Sequence, residues 1–269
     1  MKIILKVIIC IVFLISILNV SSCKKKNDDS LDALMREALR REYSAIQIES
    51  QTEIQENNQD IFSTINENDF EIIQKDGGIT IISYTGGLNE VIIPTRISGI
   101  PVYSIGRNAF SNKGLTMVNL PQGLRTIEES AFAYNDITNI IIPNSVTAIG
   151  TDAFSDNQIS GLTLSNSLTI LQGGAFARNK IENLVIPESL DWIYGSTFRG
   201  NPIKKLNLGG ALTVIARAFE DSEIETIILL ANVNFNPLTG LDTSFINYYN
   251  DNGKRAGTYV KNGRIWSRQ

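Results

Sequence analysis

The 269-residue chain contains no histidine and only two cysteines. That shortage removes the imidazole base of Ser-His-Asp and Cys-His nucleophiles and the usual His/Cys ligands of zinc. The expectation is a non-enzyme with no cofactor and no metal site. A surplus of positive charge is missing too: 24 Lys and Arg stand against 28 Asp and Glu, a net charge of −4. Nothing here favours a nucleic-acid partner, because such binding rests on neutralising a polyanion. What the chain does have, 43% apolar and 19% charged residues, is an ordinary globular mixture.

The longest apolar run opens the chain. Lys2 and Lys6 sit around an apolar core, Ile3 to Leu5 and then residues 7 to 18, which is the layout of an export signal over residues 1–22. A single membrane-spanning anchor is the alternative, since the run approaches the ~20 residues that cross a bilayer. Val20-Ser21-Ser22-Cys23 follows, and small residues ahead of a cysteine resemble the lipobox of bacterial lipoproteins. That resemblance implies cleavage before Cys23 and acylation of its thiol and amino terminus, giving a membrane partner through a lipid anchor and a place in the bacterial cell envelope. Several acyl chains on one residue would hold firmly, at about 0.8 kcal/mol per buried methylene.

Residues 23–69 change character: they are about twice as charged as the chain average and lack Gly and Pro. Ser30 can cap a helix over about 31–47, with Leu31, Leu34, Met35, Ala38 and Leu39 on one stripe. The segment reads as a lipidated, charged tether with a helix, a spacer between lipid and domain.

From about Phe70 the dominant signal is self-similarity. Phe110, Phe132, Phe154, Phe176, Phe198 and Phe219 recur at intervals of 22, 22, 22, 22 and 21 residues, and all but Phe198, preceded by Thr197, follow an alanine. Each unit repeats an Ile-x-x-Ile-x-Ile core, as in Ile137, Ile140 and Ile142, followed by a second apolar pair such as Val146 and Ile149. Alternation before Pro121, Pro143 and Pro187 is that of a half-buried strand, which proline ends because it lacks an amide hydrogen and turns the chain out of the sheet. The second pair forms an opposite wall, and the Ala-Phe step closes the coil with a tight turn. One coil of about 22 residues buries too few side chains to offset the entropy of ordering its backbone, so coils must stack, as solenoids do.

The stretch Asn135-Asp136-Ile137-Thr138-Asn139-Ile140-Ile141-Ile142-Pro143 with Ser145, Val146, Ile149, Gly150, Ala153 and Phe154 resembles the leucine-rich repeat unit of the BspA-like, spirochaete-type class. The likeness covers about residues 70–242. It implies a leucine-rich repeat solenoid of predominantly short parallel β-strands with tight helical turns. Local departures are Trp192 and Tyr194, expected to enlarge one coil, Thr197 in place of Ala, Pro202 in a turn, and one residue missing before Phe219.

Both ends need β caps. In front, Phe70 to Ile73 and Ile79 to Ile82 flank Asp76-Gly77-Gly78, a hairpin signal, followed by a strand at Val91 to Ile93 and a longer loop from Ile97 to Val102. Behind, over 243–269, Phe245 to Tyr249, Gly257 to Val260 and Arg264 to Trp266 read as short strands joined by Asn/Gly turns.

The asparagine column, Asn135, Asn157, Asn179 and Asn201, is expected to bond the backbone of adjacent coils rather than a ligand, and the six Phe residues to form an internal structural spine. The residues left facing out of the first strand make two columns. One is Met117, Asn139, Gly161, Asn183, Lys205 and Thr226; the other is Asn119, Ile141, Thr163, Val185, Asn207 and Ile228. Seven strands at ~4.8 Å span a face of ~34 Å, enough for a protein interface. Paired acids such as Glu128-Glu129, or Asp221 with Glu223, show no cleft that would separate their pKa values, and Asn250 to Gly253 lacks the ligand spacing of an EF-hand. The resemblance implies an adhesin-like envelope protein that binds a protein or glycan through this face. The alternative is a structural or assembly component of the periplasm or outer membrane.

Overall fold

The computed structural model describes residues 66–269 apart from Ala211, Ala231, Asn232 and Pro237. The export signal, Cys23 and the tether helix lie outside the described residues.

A hairpin starts the fold: β1 (Phe70–Lys75) and β2 (Gly78–Tyr84) are antiparallel across Asp76 and Gly77, both at positive φ. Next come β3 (Glu90–Ile92), β4 (Arg96–Ile97) and β5 (Ile100–Ile105). Each coil then supplies a first-wall strand and a second-wall strand: β6 (Met117–Asn119) with β7 (Thr126–Ile127), β8 (Asn139–Ile141) with β9 (Ala148–Ile149), and β10 (Gly161–Thr163) with β11 (Ile170–Leu171). The series continues with β12 (Asn183–Ile186) and β13 (Trp192–Ile193), β14 (Lys205–Leu208) and β15 (Thr213–Val214), and β16 (Thr226–Leu229) and β17 (Asn234–Phe235). Helix α1 (Thr243–Asp251) and the hairpin β18 (Gly257–Asn262) and β19 (Ile265–Arg268) close the chain.

Neighbouring coils pair in parallel at the repeat period: Leu162 beside Ile140, Leu206 beside Leu184 and Ile227 beside Leu206 on the first wall, Ile149 beside Ile127 and Leu171 beside Ile149 on the second. The shorter coil keeps register. Asn183 pairs with Lys205 but Trp192 with Thr213, so the missing residue is taken up in the turn between the walls, around Gly209. The solenoid of about seven turns that the repeat implied is the observed architecture.

Between the walls runs the aromatic spine. All six Phe side chains are fully buried, and successive rings stack at 5.0 to 6.0 Å, nearly parallel from Phe132 onward. Tyr84 continues the stack above Phe110 at 5.3 Å and satisfies its hydroxyl on the backbone of Leu88. The turns are laddered as well. Phe132 N donates to Ala153 O, Phe154 N to Ala175 O and Phe176 N to Thr197 O. Thr197 fits the alanine position because its Oγ1 donates to Tyr194 O at 2.7 Å.

Each coil bends through two residues in the left-handed region, one just before the Ala-Phe step and one two residues after Phe. Asn108, Ser130, Asp152, Gly174, Ser196 and Arg217 form the first series, with φ from 52° to 70°. Tyr134, Arg178 and Asp221 are members of the second. Such a backbone costs a side-chain-bearing residue about 1–2 kcal/mol, and the coil-to-coil bonds hold it in place.

The caps depart from expectation in two places. The segment from Ile97 to Val102 is a tight hairpin between β4 and β5 rather than a loop, turned at Ser98 (φ 50°) and Gly99 (φ 80°). The segment Phe245 to Tyr249 is helical rather than a strand. Asp242 caps α1 by accepting from Ser244 N, and Phe245, Ile246 and Tyr249 fall on one buried stripe at helical spacing. The two terminal hairpins close different walls: β1 and β2 extend the second wall, whereas β18 and β19 add antiparallel to β16 on the first.

Candidate functional site: the outward face of the first wall

The pleat alternates along each first-wall strand. In β12, Leu184 and Ile186 are buried while Asn183 and Val185 are exposed, Val185 to 36%. Among the two columns, Asn139, Asn183, Val185 and Lys205 are exposed, and Met117, Asn119, Ile141, Gly161, Thr163, Asn207, Thr226 and Ile228 are half-buried. Parallel register sets them side by side, for example Val185, Asn207 and Ile228 across β12, β14 and β16. Gly161 contributes a notch rather than a side chain, because a Cβ there would meet the Oδ1 of Asn139. Asn207 keeps a buried Oδ1 with no hydrogen-bond partner among the described residues, between Val185 and Ile228.

The asparagine column lies inside. Asn157 is buried; its Nδ2 donates to Phe132 O of the preceding coil and Phe154 O of its own, and its Oδ1 accepts from Ile137 N. Asn135, Asn179 and Asn201 repeat this pattern coil by coil. Every amide is committed to backbone, so none is free for a ligand.

Glu128 and Glu129 are engaged in structure. Glu128 accepts from Ser104 Oγ and Arg107 N, and Glu129 pairs with Arg107 at 2.9 Å. On the turn edge the Arg178 guanidinium grips Asp156 through two bonds of 2.6 Å, and Arg199 reaches Glu220 at 2.7 Å, each linking one coil to the next. The hydrogen bond from Arg178 holds the Asp156 carboxyl below its usual range against the opposing effect of burial, while burial pushes nearby Asp152 up. None of these acids is arranged as a proton donor beside a base.

One exposed cluster was not anticipated from sequence. Trp192 and Tyr194 project outward from the second wall, 49% and 38% exposed, with Ile193 turned inward between them. They do not enlarge the coil, because the period-two pleat puts both on the outer side. The signal was present in the alternation itself.

A family model, the BspA type Leucine rich repeat region, matches six copies over residues 103–225. Residues 103–225 are thus a BspA-type leucine-rich repeat region. No curated protein matches it. Among solved structures, this chain is similar to the T. pallidum leucine-rich repeat protein TpLRR, at 19% identity and a TM-score of 0.46, over 71% of this chain and 96% of that one. A leucine-rich repeat protein from Bacteroides ovatus matches at 19% identity and 0.44, over 65% and 57%. The pneumococcal vaccine antigen PcpA matches at 18% and 0.40, over 60% and 70%.

Proposed function

We propose that this BspA-type protein is a lipid-anchored component of the bacterial cell envelope that binds a protein or glycan partner through the outward face of its first wall. The observation that carries the reading is the composition of that face. Asn139, Asn183 and Asn207 alternate with Ile141, Val185 and Ile228 on a rigid parallel sheet, with Lys205 the only charge in the two columns. Apolar surface interleaved with amides and little charge is what the centre of a protein interface requires. We read the repeat scaffold as a binding framework, in which Glu128, Glu129, Asp156 and Glu220 are tied into coil-to-coil contacts.

Two experiments test the proposal. The chain from Lys24 onward, immobilised, is offered to matrix glycoproteins and to solubilised envelope proteins, with and without Ile141→Arg, Val185→Arg and Ile228→Arg together. Binding abolished in a variant that melts near the parent supports the face; binding that survives the three arginines removes it. For the anchor, Cys23→Ala should move the protein out of the membrane fraction, and unchanged fractionation would defeat it.

A further inference from the structure

Where the last coil meets the terminal cap, a half-open cavity of about 510 Å³ lies between the approach to β16, the turn before α1, and the β18–β19 hairpin. That volume falls within the range of small-ligand pockets. Its floor is apolar, made by the buried side chains of Ile224, Ile227, Leu241 and Trp266. Its rim is acidic. Glu223 and Glu225, both exposed, flank buried Ile224 in the segment leading into β16 and line the cavity, and neither carboxylate has an ion-pair or hydrogen-bond partner among the described residues.

The rim's other charges neutralise each other. Asp242 accepts from Lys261 Nζ at 2.8 Å and from Ser244 N and Oγ at 2.8 and 2.7 Å. Glu223 and Glu225 are therefore left as two uncompensated negative charges over an apolar floor. Trp266 adds a second, independent feature: it is only 3% exposed, it lines the cavity, and its Nε1 is a buried donor without an acceptor among the described residues. The walls together call for a cation on an apolar stem.

We infer that this cavity receives an arginine side chain of a polypeptide partner. A guanidinium is weakly hydrated, offers a planar fork to carboxylates, and packs on aromatic surface, whereas a compact ammonium resists partial burial beside an indole. The methylenes of the stem cover the apolar floor. A cleft lined by one sign of charge also raises the local concentration of the opposite sign. The site lies on the terminal cap and does not rest on the first-wall reading.

The test uses the full-length protein in detergent, carrying Trp192→Phe so that Trp266 is its single indole. A blocked Gly-Arg-Gly peptide should change Trp266 emission saturably, and added salt should weaken the response. The same peptide with citrulline for arginine, isosteric but neutral, should give none, nor should a neutral disaccharide. Glu223→Gln with Glu225→Gln should weaken the arginine response about tenfold or more without moving the melting temperature, because both carboxylates are exposed and unpartnered. The inference is overturned by absence of a saturable response, by an equal response to citrulline or sugar, or by full binding in the double glutamine variant.

Discussion

Removing the amide of Asn179 tests whether the asparagine column holds the stack together. Its Oδ1 accepts from Ile159 N at 3.0 Å, and its Nδ2 donates to Phe154 O at 2.9 Å and Phe176 O at 3.2 Å. The carbonyls are insured: Phe154 O keeps Asn157, and Phe176 O keeps Asn201. Ile159 N has no second acceptor among the described residues, and the site is sealed, Asn179 being 2% exposed. Asn179→Ala thus orphans one buried donor, costing about 1–3 kcal/mol, and removes one of two donors from each carbonyl, about 0.5–1 kcal/mol apiece. The expected loss is about 3 kcal/mol by urea unfolding followed by circular dichroism. Because each coil touches only its neighbours, the break should also speed hydrogen exchange at Ile159 and in the coils on either side. A loss under about 1 kcal/mol, with exchange at Ile159 unchanged, would refute the assignment of the column as the inter-coil fastener.

Other outcomes follow from the same geometry. Gly174 has φ 70°, and a Cβ there would collide with Asp152 Oδ1, so Gly174→Ala should cost about 1–2 kcal/mol in thermal melts. Ile141→Arg, Val185→Arg and Ile228→Arg should each change stability by less than about 1 kcal/mol, whereas Leu184→Arg, one residue along the same strand and buried, should prevent folding. Burial raises the Asp242 carboxyl, but hydrogen bonds from Lys261 and Ser244 outweigh it and hold the group well below the usual range; Asp156 is lowered by Arg178. Carboxyls depressed in the folded state stabilise it fully above their unfolded pKa of about 4 and lose that contribution as pH falls through their folded values. Melting temperature should accordingly drop below about pH 4, and less steeply in Asp156→Asn and Asp242→Asn, each of which starts from a lower value.

The repeat was legible because the same residue types return at the same places: Phe110 through Phe219, Asn135 through Asn201 and the proline column each report one environment several times over. Single occurrences lacked that redundancy. Aromatic and β-branched residues at Phe245, Ile246 and Tyr249 favour strand by propensity, and the Asp242 cap together with burial on one helical stripe overrode it. Ser98-Gly99 is a hairpin turn in a segment that reads as a loop by length alone. Tyr134, Arg178 and Arg217 occupy left-handed positions that their side chains do not advertise; the stack imposes them. The cap cavity draws on Glu223, Asp242, Lys261 and Trp266, brought together by antiparallel pairing of β18 with β16, a contact outside the repeat and so invisible to its period.

Disulfide trapping between adjacent coils interrogates the stack most directly. In the chain from Lys24 onward, free of both native cysteines, Asn183→Cys with Lys205→Cys places two thiols at paired positions on neighbouring parallel strands, about 4.8 Å apart and inside the span a disulfide bridges. Mild oxidation should cross-link this pair quantitatively within one molecule. Asn183→Cys with Thr226→Cys, two strands apart and beyond reach, should stay reduced. Failure of the first pair to close, or equal closure of the second, would contradict a coil-upon-coil arrangement.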